Sequence, residues 1–153
     1  MHPYPHTYIA SAAGRSTGLV AVTSPELSSF ETAPPPQFDG PAGLWSPETL
    51  LCASIADCLI LTFRGVSRAA RFAWSQLDCR VEGVLERVGQ SSQFTRYTTI
   101  ARLWVPAGSD VAKARDLLER AERGCLIANS LRGTRKLEME VLIESPVSEP
   151  ATA

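Results

Sequence analysis

Apolar residues in this chain fall into two helical patterns and several alternating ones. From Leu50 to Phe63 the sequence Leu-Leu-Cys-Ala-Ser-Ile-Ala-Asp-Cys-Leu-Ile-Leu-Thr-Phe is apolar on nearly every side of a helix, which suits a helix buried by protein all round. Ser46, Pro47 and Glu48 open it with a hydroxyl N-cap, a proline at the first helical position and a carboxylate in the first turn. Its uninterrupted apolar run is only about a dozen residues, broken by Asp57, which argues against a membrane span. The second helical pattern places Val111, Ala114, Leu117, Leu118 and Ala121 on one face and charges on the other, with Gly124 as its stop and Cys125 just beyond on a turn.

Residues 76–88 alternate through Leu77, Cys79 and Val81, and residues 94–105 through Tyr97, Thr99, Ala101 and Leu103. Gly89-Gln90-Ser91-Ser92 between them predicts a hairpin. A last strand, 136–143, carries Leu137, Met139, Val141 and Ile143 on one face. Short strands are expected at 7–13 and 19–23, joined by a loop that carries Arg15. Residues 32–41 hold four prolines, which predicts an extended connector and not a helix or central strand. The order β-β-α-β-β-α-β, with hairpins in place of repeated crossovers, predicts an α+β fold: antiparallel sheets around a long buried central helix.

With 153 residues and 44% hydrophobic content, the chain is long enough for one domain with a core, 1–153, with residues 1–6 and 146–153 expected as disordered tails. A net charge of -1 and a pI near 6.1 give no reason to expect nucleic acid or a membrane surface as partner. The start, Met-His-Pro-Tyr-Pro-His, has neither the basic nor the apolar region of a signal peptide, so the expected location is cytoplasmic. The four cysteines show no CxxC or finger spacing, and His2 and His6 lack further obvious ligands, so no metal site is expected. Phosphate-binding loops and nucleophile elbows are absent from the sequence.

Candidate chemistry centres on two thiols. Cys58 lies inside the apolar helix and Cys125 at the end of the charged one, and the pair suggests reversible thiol–disulfide chemistry. Cys52, on the same helix as Cys58, and Cys79, in a strand, read as small core side chains. Trp45, directly before the central helix, is the tryptophan expected to line a substrate pocket.

The strings around these thiols resemble the OsmC/Ohr family of thiol peroxidases. They are Pro47-Glu48-x-Leu50-Leu51, then Ala56-Asp57-Cys58, then Ala121-Glu122-x-Gly124-Cys125-Leu126-Ile127-x-Asn129-Ser130-Leu131, with Gly14-Arg15 upstream. The likeness runs from about Thr7 to about Glu144. It implies an OsmC-like fold in an intertwined homodimer, with Cys58 as peroxidatic cysteine, Cys125 as resolving cysteine, and Arg15 with Glu48 activating Cys58. It also implies an organic hydroperoxide as substrate and a dithiol reductant, a lipoyl-bearing or thioredoxin-like protein, with no metal, flavin or haem cofactor. Two positions depart from the family pattern. Leu126 stands where many members have proline, which predicts a less rigid turn at Cys125. Asp57 stands where a small residue often precedes the first cysteine, and its charge is expected to raise the Cys58 pKa.

The chemistry requires these residue types. A thiolate, not a thiol, attacks a peroxide oxygen, and a guanidinium brings a cysteine below its usual value near 8.5. A glutamate beside the arginine fixes the guanidinium plane. Glu48 and Cys58 are ten residues apart on one predicted helix, roughly 15 Å along its axis, too far for one side chain to bridge. A site using both therefore needs two subunits, with central helices antiparallel about a two-fold axis. A redox sensor, or a non-catalytic dimer that binds an apolar ligand, would use the same fold.

Overall fold

A computed structural model describes residues 2–145, so the expected tail at 146–153 lies outside the described residues, as does Met1 of the segment 1–6. The chain forms two compact units, Met1–Leu51 and Cys52–Ala153.

The first unit holds a three-stranded antiparallel meander, β1 (Ser11–Ala13), β2 (Val20–Thr23) and β3 (Phe30–Thr32), in that order. Val20 pairs with Thr32 and Ala13 with Ala21. The third strand has only three residues, too few for alternation to reveal it. The proline-rich connector then makes one 3-10 turn at Pro36–Phe38, closed by Asp39 in the left-handed region at φ 59°. A Cβ at Gly40 would lie 1.7 Å from the Pro34 carbonyl oxygen, so only glycine lets the connector fold back here. Ala33 N–H donates to the Trp45 carbonyl at 3.0 Å, and this brings the chain to the helix start.

Helix α1 (Pro47–Ala69) begins as expected at Ser46. Ser46 Oγ accepts from Thr49 N–H at 3.3 Å while Thr49 Oγ1 accepts from Ser46 N–H at 2.9 Å, a reciprocal capping box. The helix belongs to the second unit from Cys52 onwards and runs six residues beyond Phe63. By length and composition it could cross a membrane, with a mean hydropathy of 1.6 over its most apolar window. Ile55, Leu59, Phe63 and Ser67, spaced four apart, are its buried residues. The expectation of burial all round is thus corrected for the single chain: Leu61 is 52% exposed. Within the second unit the helix packs on one sheet, and a helix lying on a sheet buries a stripe.

The second sheet has the order β4 (Gln76–Val88), β5 (Ser91–Val105), β6 (Thr134–Ile143). Strands β4 and β5 form the predicted hairpin, turning at Gly89-Gln90 between the paired Val88 and Ser91, with Gly89 at φ 63°. A register shift at Val84/Leu85 leaves Thr95 unpaired as a bulge. The α+β class stands, but β6 is parallel to β5. Alternation reveals which face a strand buries and not its direction, and here α2 (Val111–Gly124) carries the chain back along the sheet before β6 begins. Asp110 caps α2, its carboxylate accepting from Lys113 N–H at 3.0 Å.

The core lies in this unit. Leu59 and Phe63 of α1 meet Leu77, Ala101, Leu103 and Val105 of the sheet, and Ala114, Leu117, Leu118 and Ala121 of α2 complete it. Each fully buried leucine here is worth about 1.5–3 kcal/mol of apolar transfer. Trp74 packs edge-on to Phe63, with ring centroids 5.2 Å apart, and its Nε1–H donates to the buried Ser67 hydroxyl at 2.9 Å. That bond satisfies two polar groups beside the core.

Candidate active site

Cys58 is half-buried beside the buried stripe of α1, one turn before Thr62, whose Oγ1 lies 3.9 Å from the Cys58 sulfur. Opposite stands the corner between α2 and α3 (Leu126–Asn129). Gly124 is the last residue of α2, and its φ is not in the left-handed region, so the helix ends where expected by another device. Cys125 is that device. Its N–H donates to the Glu122 carbonyl at 3.2 Å, and its sulfur accepts from Ala128 N–H at 3.5 Å, so one residue closes α2 and opens α3. A Cβ on Gly124 would lie 3.4 Å from Thr62, a measure of how closely the corner approaches α1.

The structure brings the two predicted thiols together: they are close enough for each to shift the other's ionisation. Their environments differ. Burial pushes the Cys58 thiol up, but hydrogen bonds from the Cys125 thiol, Ile127 N–H, the Thr62 hydroxyl and Leu126 N–H outweigh it, and its pKa falls below the ordinary value. Cys125, 1% exposed, is pushed up to about 11 by burial and by its bond and charge interaction with Cys58. One sulfur ionises more readily than an ordinary thiol, and its neighbour holds its proton more firmly. This pairing corrects the expected effect of Asp57, which is exposed and is not one of the groups that set the Cys58 balance. It also gives Leu126 a positive role, because a proline there would have no N–H to offer Cys58.

Arg15, Trp45 and Glu48 lie in the first unit. Arg15 is exposed in the segment between β1 and β2. Trp45 is half exposed and bridges Thr32. Glu48 is in the first turn of α1, and its Oε2 is buried without a hydrogen-bond partner, an acceptor in want of a donor. The other two cysteines are half-buried and in no disulfide. Cys52 lies against Gly83 and is raised by burial, partly offset by a hydrogen bond from the Gly83 backbone. Cys79 is pushed up to about 11, by burial first and then by the charge of Cys125.

Sequence reasoning missed Thr62, although its four-residue spacing from Cys58 on a helix was a usable signal. It also missed the donors at Leu126 and Ile127, which are backbone groups that any residue but proline supplies.

Two contacting thiols of opposite proton preference, one on a long helix and the other at a helix–helix corner over a three-stranded sheet, define a dithiol protein of the α+β class. The chain belongs to the OsmC-like protein family, whose model matches residues 40–140. Solved structures agree on the fold. An organic hydroperoxide resistance protein OsmC from Legionella pneumophila aligns at 24% identity and TM-score 0.72 over 92% of this chain and 99% of its own. An OsmC-like protein of unknown function from Vibrio cholerae aligns at 13% identity and TM-score 0.79 over 90% and 100%. An organic hydroperoxide resistance protein from Elizabethkingia anophelis aligns at 20% identity and TM-score 0.75 over 94% and 100%. No curated protein matches the sequence.

Proposed function

We propose that the protein is a cysteine-based, dithiol-dependent peroxidase that reduces organic hydroperoxides to alcohols. The observation that carries this reading is the contact between a Cys58 inclined to ionise and a Cys125 that holds its proton. The Cys58 thiolate attacks one peroxide oxygen, the O–O bond breaks, and the other oxygen leaves as alkoxide and takes up a proton to become the alcohol. Cys58 is left as a sulfenic acid. The Cys125 sulfur then attacks the Cys58 sulfur, the S–O bond breaks, and hydroxide leaves as water with the Cys125 proton. An external dithiol, on a lipoyl or thioredoxin-like protein, reduces the resulting Cys58–Cys125 disulfide.

Preference for an alkyl over a bare peroxide is supported by the apolar residues beside Cys58. Leu126 is 68% exposed, Ile127 and Leu61 are also exposed, and Leu61 is one helical turn from the thiol. The similar proteins from Legionella pneumophila and Elizabethkingia anophelis are organic hydroperoxide resistance proteins, which supports the same preference. Arg15 and Glu48 complete the site from the partner of a homodimer, Arg15 donating to Glu48 and to Cys58. The unpartnered Glu48 oxygen supports this, as does its ten-residue separation from Cys58 along α1. Trp45 lines the entrance for substrate, and the protein works in the cytoplasm, where such a disulfide is transient.

The test is dithiol-dependent consumption of cumene hydroperoxide by the reduced protein. Turnover is expected to vanish in Cys58→Ser, while Cys125→Ser reacts once and recycles poorly. Reduced wild-type protein that shows no turnover with any dithiol, lipoyl or thioredoxin-like, and consumes no stoichiometric hydroperoxide would overturn the reading.

A further inference from the structure

The corner that carries Cys125 is held at both ends by one side chain. Arg135, the second residue of β6, places its Nε 3.3 Å from Glu122 Oε1 of α2, and its Nη1 donates to Asn129 Oδ1 of α3 at 2.8 Å. Asn129 Nδ2 in turn donates to the Arg123 carbonyl at 2.9 Å. Within this bracket, Asn129 N–H donates to the Cys125 carbonyl at 3.0 Å and Cys125 N–H to the Glu122 carbonyl at 3.2 Å. The Arg135 and Glu122 side chains are 31% and 19% exposed, whereas every side chain in the other ion pairs among the described residues is at least 47% exposed. It is therefore the pair least screened by solvent. Glu122, Arg135 and Cys125 also share the lining of a cavity of about 10 Å³, room for about one water.

The bracketed segment carries three of the four groups that offset burial at Cys58, namely the Cys125 thiol, Leu126 N–H and Ile127 N–H; the fourth, Thr62, is on α1 itself, its Oγ1 3.9 Å from the Cys58 sulfur. We propose that Arg135 is a positioning residue: by bridging Glu122 and Asn129 it fixes the α2–α3 corner and so aims these three donors at the Cys58 sulfur. A guanidinium fits the task because its planar fork engages a carboxylate and an amide oxygen together, which an ammonium does not do with fixed geometry. The inference rests on Cys58 being the reacting thiol, but its test does not require peroxide turnover.

The experiment is the pH dependence of Cys58 alkylation by iodoacetamide, in chains whose other three cysteines are scored separately by peptide mass. Arg135→Met is expected to raise the Cys58 pKa by about one unit, a tenfold change in the ionisation constant. Arg135→Lys separates positioning from charge. If it shifts Cys58 as far as methionine does, the geometry of the fork is what matters, as proposed. If it restores the wild-type value, the positive charge acts directly and the proposal falls. An unshifted Cys58 in folded Arg135→Met also overturns it. Should that variant fail to fold, Asn129→Leu cuts the Nη1 branch together with the Asn129–Arg123 bond, leaves the Glu122 pair in place, and is expected to shift Cys58 in the same direction; no shift there overturns the proposal. A shift without peroxide turnover in the wild type would leave the positioning role standing and remove the proposed reaction.

Discussion

Leu126 is the residue at which a departure from family wording becomes chemistry. Its N–H helps to hold the Cys58 thiolate, so Leu126→Pro is expected to raise the Cys58 pKa and slow alkylation at neutral pH several-fold. Proline is acceptable at the first position of α3, so the substitution leaves the corner able to fold. Alkylation profiles of the two proteins check this, and identical profiles would remove the backbone donor from the account. Thr62→Val is expected to move Cys58 in the same direction, since its hydroxyl is another of the four donors. At this scale the sequence revealed which sulfurs matter, because a cysteine inside an apolar helix and another at a helix end are visible in one dimension. It did not reveal what tunes them, because backbone N–H groups and Arg135 reach Cys58 only through the fold.

Among the elements, the hairpin and both long helices were legible from periodicity and caps, and Ser46 and Pro47 open α1 as read. The strand direction of β6 was not, since Leu137, Met139 and Val141 alternate identically in either direction. Nor was β3, which is set by pairing to β2 and not by its own three residues. Gly83 marks a third kind of information. It sits within a strand where a Cβ would come 2.8 Å from the Phe94 ring and 2.9 Å from the Cys52 sulfur. Gly83→Ala is therefore expected to destabilise the sheet against α1 by about 1–3 kcal/mol, the usual range for overpacking. Urea unfolding measures it, and a neutral result would mean that Phe94 and Cys52 yield freely.

For the whole molecule, ionisation and assembly give further outcomes. Folded Cys79 keeps its proton up to about pH 11, whereas the unfolded chain loses it near the ordinary 9.0. Between those values the folded state binds more protons, so stability falls as pH rises from about 9 to 11. Cys79→Ala should flatten that slope in denaturant titrations at pH 8 and 10.5. The proposed homodimer places the uncovered side of α1 against its copy, so Leu61→Arg is expected to convert dimer to monomer in sedimentation and to abolish turnover; a fully active wild-type monomer at nanomolar concentration would refute that arrangement. The parallel seating of β6 also has a bearing on timing. The last strand among the described residues, β6, carries Arg135, and its partner β5 lies on the far side of a crossover, so this pairing joins distant parts of the sequence and forms slowly relative to the β4–β5 hairpin. A chain made only as far as Asn129 has both sulfurs but not Arg135, so on the proposed role of that residue the corner stays unbraced until β6 has been made and paired.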